Sequence, residues 1–190
     1  MGFLDALLGR TKPVPPNLDA LFALPSAAIT LQAASDLAAT GSGSVCFRAV
    51  EGRAFSDIEN DVRALLSMGD NKAPVEVSED KYGFTWLVCR HAADDIEGLV
   101  TDLHAVNSSL EAGGFGPQLL CTIVSFRNQA GRPLGLVYLY KRGTFYPFAP
   151  LSGQQRDNAL ELQIRGALGA DLKIEPDLGR WMPIWGAPGL

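Results

Sequence analysis

Apolar residues alternate most clearly over positions 134–141, where most side chains are leucine, valine or tyrosine. In an extended chain Leu134, Leu136 and Tyr138 point to one side and Val137 to the other. Because both sides are largely apolar, the pattern predicts a strand near the middle of a sheet that is covered on both faces. A basic turn, an aromatic segment and an amphipathic helix follow, and the rest of the chain is organised around this stretch.

Five more apolar runs have the length and composition of strands. They cover residues 29–32, 45–50, 75–78, 84–89 and 119–126. Residues 80–83 join two of these runs, and residues 128–131 join the last of them to 134–141, so each of these two pairs is predicted to form a hairpin. The small residues 39–44, which include two glycines, predict a flexible connection before the strand that follows.

Helical spacing and capping residues predict the helices. They cover residues 3–9, Leu18–Ala23, 58–68, a long stretch capped by Asp94 or Asp95, and 156–168. The long helix repeats Leu99, Leu103, Val106 and Leu110 at helical spacing. Pro25 is predicted to stop the second helix.

The order of these elements predicts the fold class. Behind a short N-terminal helix, the sequence strand–strand–helix occurs three times. Tight hairpins make neighbouring strands antiparallel, so we expect an α+β fold with an antiparallel sheet of about six strands and helices packed on it. A chain of 190 residues, 47% of them hydrophobic, can bury one sizeable core. We expect an amphipathic helix and a proline-rich spacer over 1–16, and one domain over 17–190 that ends in an apolar tail, residues 175–190.

Charge and hydrophobicity exclude some classes of protein. The formal net charge of −5 argues against a general nucleic-acid binder, because such a protein carries a basic face. No run reaches the roughly 18–20 apolar residues of a membrane-spanning helix. The first residues lack the basic region and the cleavage site of a signal peptide. The sequence therefore predicts a cytoplasmic protein that binds no nucleic acid.

The cysteines predict neither a metal site nor a disulfide. Cys46, Cys89 and Cys121 each lie within an apolar, strand-like run, their number is odd, and no CxxC motif occurs. Only two histidines exist to complete a metal site. We therefore expect three small, buried thiols in a reducing compartment, and no metal or other cofactor.

No pattern in the sequence indicates catalytic residues. His91 follows Cys89 by two positions, so in a strand the two side chains would share a face and could form a nucleophile pair, but no third partner is recognisable. His104 lies on the flank of the apolar stripe of the long helix and is expected to be a boundary residue. The glycines match neither a phosphate-binding loop nor a dinucleotide fingerprint, and no GxSxG or HExxH motif occurs. We predict that the protein is not an enzyme.

Aromatic and basic residues gather in the last third of the chain and predict a partner-binding surface. Flat, rigid rings beside arginine are favoured at interfaces because they give contact area at a small entropy cost. The predicted contact residues are Lys141, Arg142, Phe145, Tyr146, Phe148, Arg156, Trp181 and Trp185. The alternative is that the rings seal the edge of the core, that the basic turn is only solvated, and that the tail closes the domain.

The N-terminal helix has the pattern of a weak membrane-surface contact. Phe3, Leu4, Leu7 and Leu8 share one side of a helix. The basic residues that follow could meet anionic headgroups, each contributing about 1 kcal/mol near such a surface. The alternative is a terminus that packs against its own domain, since an isolated helix this short is marginal in water.

Six stretches distributed along the chain match one known family when taken together. They read MGFLDALLGRTKPVPPNLDALFALPSAAITLQAA, GSVCFR, VTDLHAVNSSLEAGGFGPQLLC, LVYLYKRGTFYPFAP, RDNALELQIR and RWMPIWGAPGL. The chain thereby resembles the actinobacterial PspA-associated protein family PspAB, most weakly around 69–80 and 128–132. The resemblance implies a cytoplasmic accessory factor of the phage-shock, or envelope-stress, response that works with PspA or another envelope-stress factor. Together with the N-terminal helix, it leads us to expect peripheral contact at the inner face of the membrane. It carries no catalytic residue over to this chain.

Two functions therefore compete. The first is a non-catalytic interaction module that binds a PspA-like protein through the aromatic and basic residues or the tail. The second is an uncharacterised enzyme or a small-ligand-binding domain whose pocket lies between sheet and helices. A filled core with exposed aromatic rings favours the first function, and a deep pocket lined by His91, Cys89 and carboxylates favours the second.

Overall fold

A six-stranded antiparallel sheet is the centre of the molecule, with the strand order β2-β3-β1-β4-β5-β6. The computed structural model describes residues 16–48, 57, 60, 62, 64 and 75–190. The strands are β1 (Leu37–Arg48), β2 (Glu76–Glu79), β3 (Phe84–Arg90), β4 (Leu119–Asn128), β5 (Pro133–Leu139) and β6 (Thr144–Phe148). A separate hairpin of two-residue strands comprises β7 (Pro150–Leu151) and β8 (Gln155–Arg156). The sheet and the helices that pack on it confirm the predicted α+β class.

Three α-helices that are described over their whole length accompany the sheet. They are α1 (Leu24–Ser35), α2 (Ile96–Leu110) and α3 (Asn158–Ala167). Asp95 begins α2 by accepting a hydrogen bond of 3.0 Å from the amide of Gly98. Asp157 begins α3 in the same way, with an amide 3.0 Å away at Leu160. Each carboxylate satisfies a backbone donor that has no acceptor within its helix, which explains where the two helices start.

The predicted strand at 29–32 is wrong, because these residues belong to α1. Pro25 does not stop the preceding 3₁₀ turn, Leu18–Ala23, but lies in the first turn of α1. A proline is tolerated there because its missing N–H would have no acceptor within the helix. Leu24, Ala27 and Leu31 then form the buried side of the helix.

The predicted flexible connection over 39–44 is also wrong, because these residues lie inside β1. The register of β1 against β4 shifts between Ala39 and Gly43, and Gly41 has φ +73° within this bulge. A Cβ at Gly43 would lie 2.7 Å from Leu103 Cδ1. The small residues therefore let α2 approach the strand closely.

The sheet is covered on both faces, as the alternation around β5 predicted. The three α-helices cover one face, where Leu134, Leu136 and Tyr138 are buried. The tail covers part of the other face, where Val137 packs in a cluster with Trp181. The strand is hydrophobic on both sides because each side packs against a different part of the chain.

One helical stretch among the described residues, Leu18–Ser35, is long and apolar enough to cross a membrane, contrary to the expectation that no run reaches that length. Its buried side, which includes Leu21 and Leu31, packs on the sheet and on α2. Only 28% of the stretch is buried, and Phe22 and Ile29 are exposed, so packing accounts for the hydrophobicity of one side of the helix only.

Two sequence predictions lie wholly or mainly outside the described residues. The N-terminal helix and its spacer, 1–16, fall there apart from Pro16. Most of the predicted helix 58–68 falls there too, although the described residues Asp57, Asn60, Val62 and Ala64 are helical. Val62 is buried in the core on the helix side of the sheet.

Candidate functional site

A groove of about 530 Å³ lies between the tail and the face of the sheet that the helices leave uncovered. Its lining is mostly apolar and includes Phe84, Trp86, Leu120, Leu139, Ile184 and Trp185. The strands supply its floor, and the tail supplies one wall. We call this feature the tail groove.

The residues just before the tail join the sheet at its β6 edge. Phe145 donates its amide to the carbonyl of Lys173 over 2.9 Å, and Glu175 donates its amide to the carbonyl of Phe145 over 2.8 Å. These bonds flank a parallel bridge between Phe145 and Ile174. The tail therefore starts from a fixed position beside β6.

Glu175 anchors this start through its side chain, which has 0% exposure. Its carboxylate accepts hydrogen bonds from Thr144 Oγ1 at 2.8 Å, Arg142 Nε at 3.1 Å and Arg180 Nη1 at 3.4 Å. Burial alone would raise the pKa of Glu175, but the hydrogen bonds from Thr144, Arg142 and the Asp177 amide outweigh it and hold the pKa below its usual value. The carboxylate is therefore charged at neutral pH and holds the tail to β6.

The tail then crosses the sheet, where contacts between aromatic rings hold it in place. The ring of Trp181 stacks on Tyr146 with 5.9 Å between centroids, and the Tyr146 hydroxyl donates to the carbonyl of Met182 over 2.8 Å. Trp185 meets Phe148 edge to face at 5.0 Å. These contacts fix the wall of the tail groove.

Arg156 connects α3 to the same cluster. Its guanidinium lies 5.0 Å from the centroid of Phe148, and its Nε donates to Glu161 over 3.0 Å. Its Nη1 donates to the carbonyl of Trp181. Arg156 is therefore engaged within the fold and stabilises the tail.

Four of the five aromatic side chains that were predicted to contact a partner are buried in the structure. Phe145, Tyr146 and Phe148 are buried, because the aromatic segment forms β6 and is covered by α3 or the tail. Trp181 is also buried, and Trp185 is partly buried in the groove wall. The alternative, in which the rings belong to the core and the tail closes over the sheet, describes this arrangement.

The predicted basic residues have different surroundings. Arg142 is partly exposed but bound to Glu175, whereas Lys141 is exposed and forms no ion pair with any described residue. Arg48, which the sequence did not single out, is likewise exposed without an ion pair in the described part of the chain. Arg48 and Lys141 line a recess of about 190 Å³ next to the tail groove, and Arg48 lines both. Partner binding by Lys141 stays a prediction.

The β2–β3 hairpin forms the wall opposite the tail. Asp80 accepts hydrogen bonds from the amides of Tyr82 at 2.8 Å and Phe84 at 3.1 Å, which closes the predicted turn. Its second oxygen accepts from Trp86 Nε1 at 3.0 Å. One aspartate thus orders the turn and orients a tryptophan of the groove.

All three cysteines are buried, as predicted, and all three are free thiols in the structure. The structure adds that Cys46 and Cys121 are register partners on β1 and β4 and both line the tail groove. A hydrogen bond to Cys121, together with burial, raises the pKa of the Cys46 thiol far above its usual range. No signal in a single sequence indicates this pairing, because 75 positions separate the two residues.

His91 does not form a nucleophile pair with Cys89. Its Nδ1 lies 2.7 Å from Asp95 Oδ2 and its Nε2 lies 2.8 Å from Asp102 Oδ2, so both ring nitrogens contact carboxylates. Burial alone would lower the pKa of His91, but the hydrogen bonds to the two carboxylates outweigh it and raise the pKa above its usual value. Through these two contacts the histidine joins the end of β3 to the start of α2.

His104 lies at the boundary of the helix layer, as predicted. Its ring packs on Phe22 with 4.8 Å between centroids, and its Nε2 lies 3.2 Å from Asp19 Oδ1.

Within the described residues, no group of three or more His, Cys, Asp or Glu side chains could hold a metal ion.

Comparison with known proteins identifies a family. A family model described as PspA associated protein B matches residues 1–189. Neither the curated proteins nor the solved structures gave a match. The family match covers both walls and the floor of the tail groove.

Proposed function

The chain belongs to the PspA associated protein B family, and we propose that it is a non-catalytic accessory protein that binds a PspA-like protein in the envelope-stress response. The observation that supports this most is the tail groove, an open apolar site built on a rigid sheet. We propose the cytoplasm as its location, with peripheral contact at the inner face of the membrane through Phe3, Leu4, Leu7 and Leu8.

The rim of the tail groove has the composition of a binding surface. Met182 is 60% exposed and Tyr82 is 50% exposed, and both line the groove together with Trp185. Tryptophan, tyrosine and methionine are enriched at interfaces because they bury large areas. These exposed side chains take the role that the sequence had given to the rings of β6.

Charge defines the partner further. Arg48 lines the groove, and Lys141 lines the adjoining recess with it; neither forms an ion pair among the described residues. A partner segment that fits the groove and this recess carries apolar side chains followed by Asp or Glu. The overall charge of −5 makes such a local basic recess more selective, since the rest of the surface repels an acidic partner.

Binding of a small amphiphilic ligand is the second candidate. The groove volume of about 530 Å³ lies within the roughly 300–1,000 Å³ of typical ligand sites. Its apolar floor suits a hydrocarbon chain, and the recess with Arg48 and Lys141 suits an anionic head. The same side chains would contact either a partner segment or a small ligand, so the experiment must distinguish these two occupants.

Paired substitutions of exposed residues test the partner. The purified chain is titrated with a purified PspA-family protein from the same genome, and the Kd is measured by calorimetry. We expect Met182→Asp to weaken binding by about tenfold or more, equal to about 1.4 kcal/mol. Ile29→Asp is the matched control, because Ile29 is 73% exposed on α1, away from the groove.

A second pair of substitutions tests the basic recess beside the groove. Lys141→Glu should weaken binding. Lys173→Glu, which reverses an exposed charge outside both the groove and the recess, should leave the Kd unchanged. If the PspA-like protein binds all four variants as it binds the original chain, the groove is not its site. If it does not bind at all and a fluorescent fatty acid binds in a manner that Met182→Asp disrupts, ligand binding replaces the proposal.

A further inference from the structure

Cys46 and Cys121 lie directly opposite each other on neighbouring strands. They are register partners in the antiparallel pair β1–β4, and both belong to the apolar cluster on the tail side of the sheet. Opposed residues of antiparallel strands have Cα atoms about 4.5–5.5 Å apart, inside the roughly 4.4–6.8 Å that a disulfide spans. The backbone thus places the two sulfurs within reach of a covalent bond.

The tail groove connects these two thiols to solvent. Cys46 is 3% exposed and Cys121 is 7% exposed, and both line the groove. Cys89 packs on the opposite face of the sheet, in the core beneath the helices. A small reagent that enters the groove therefore meets two of the three cysteines.

The two sulfurs also interact with each other. A hydrogen bond to Cys121, together with burial, raises the pKa of the Cys46 thiol. The register pairing therefore places a second thiol beside whichever sulfur is oxidised first.

We propose that Cys46 and Cys121 form an oxidation site that closes to a cross-strand disulfide when a small hydroperoxide enters the tail groove. The inference goes beyond the proposed accessory function and does not depend on any partner. The floor of the groove then exists in a reduced form with two thiols and in an oxidised form with one disulfide.

The reaction balances with hydrogen peroxide as the oxidant. The thiolate of one cysteine attacks one peroxide oxygen, so an S–O bond forms, the O–O bond breaks, and the leaving hydroxide takes up the proton that this cysteine released. The sulfur of the other cysteine then attacks the sulfenic acid, so the S–S bond forms and the S–O bond breaks. The second hydroxide leaves with the proton of the second cysteine. Each thiol gives one electron and one proton, and the peroxide becomes two waters.

Peptide mapping of the full chain tests the proposal directly. The reduced protein is exposed to hydrogen peroxide, alkylated under denaturing conditions, digested and analysed by mass spectrometry. We expect a cross-link between the peptides of Cys46 and Cys121, an alkylated Cys89, and reversal of the cross-link by dithiothreitol. The exposed thioether of Met182 serves as an internal measure of the peroxide dose.

Single substitutions test the pairing. Cys46→Ala should leave a sulfenic acid on Cys121 that dimedone traps, because no second thiol lies opposite to resolve it, whereas Cys89→Ala should form the same cross-link as the original chain. The proposal is overturned if Cys46 and Cys121 remain thiols at a dose that oxidises Met182, or if the only disulfides link separate chains. Mapping the unsubstituted protein decides the matter even if a variant fails to fold.

Discussion

Arg142 Nε lies 3.1 Å from Oε2 of Glu175, and this ion pair joins the turn after β5 to the start of the tail. The carboxylate is completely buried, whereas the guanidinium is partly exposed. Arg142 is therefore part of the structure that holds the tail, and the neighbouring Lys141 is not.

Charge reversal should separate these two neighbours. Arg142→Glu places a second carboxylate beside Glu175 and removes one of its donors, so we expect the free energy of unfolding to fall by roughly 1–3 kcal/mol. Lys141→Glu should change it by less than about 0.5 kcal/mol. Urea denaturation of both variants measures the difference. Equal stabilities would show that the remaining donors, Thr144 and Arg180, suffice to hold the tail.

The contacts of His91 with two carboxylates predict a dependence of stability on pH. The pKa of His91 is raised on folding, so its contribution to stability is fully present below the unfolded pKa of about 6.5 and is lost as pH rises through the folded pKa. We expect His91→Gln to lower the melting temperature more at about pH 5.5 than at about pH 8.5. Thermal denaturation of both proteins across this range makes the measurement.

The carboxylate of Asp102 provides the control for His91. Asp102→Asn removes one of the two negative charges that raise the pKa of the histidine. In that background the extra loss at low pH caused by His91→Gln should shrink. A loss that is the same at every pH would mean that His91 stabilises the fold by packing alone.

Two glycines should respond in opposite ways to alanine. A Cβ at Gly43 would lie 2.7 Å from Leu103 Cδ1, so Gly43→Ala should cost about 1–3 kcal/mol by overpacking. A Cβ at Gly166, in α3, would meet nothing within 4 Å. Gly166→Ala should therefore stabilise the protein by roughly 0.5–1 kcal/mol. Chemical denaturation measures the free energy of unfolding of both variants. If Gly43→Ala leaves it unchanged, α2 can shift away from β1.

The N-terminal residues predict a weak and salt-sensitive contact with membranes. Flotation with anionic liposomes should recover a small fraction of the chain at low salt and none at high salt, because screening removes the attraction of Arg10 and Lys12. Leu4→Asp combined with Leu8→Asp should abolish the contact without a change in melting temperature. A markedly lower melting temperature would instead place this helix in the core of the domain.

Interactions between residues that are close in sequence determine several secondary-structure elements, independently of tertiary contacts. The alternation around Leu136 predicted β5 because side chains of a strand point to opposite faces at every step. The hairpin at Asp80 and the start of α2, predicted at Asp94 or Asp95 and found at Asp95, depend on side chains that bond to their own neighbouring backbone. Such signals involve residues only a few positions apart, so one sequence contains all the information needed.

Tertiary packing decided the elements whose local signals were ambiguous. Pro25 suits either the end of one helix or the first turn of another, and the packing of α1 on the sheet selected the second. The small residues around Gly43 suit a loop or a closely approached strand, and the position of Leu103 selected the strand. In each case the competing conformations differ little in local energy, so burial of apolar surface determines the outcome.

Only the tertiary structure reveals the tail groove, the pairing of Cys46 with Cys121 and the buried carboxylate of Glu175. Cys46 faces Cys121 because of the order of strands in the sheet, and Glu175 meets Arg142 because the tail returns to β6. By itself the sequence determined that the cysteines would be buried and that the tail would be apolar. Which side chains face each other depends on strand register and strand order, and contacts between residues far apart in the chain set both.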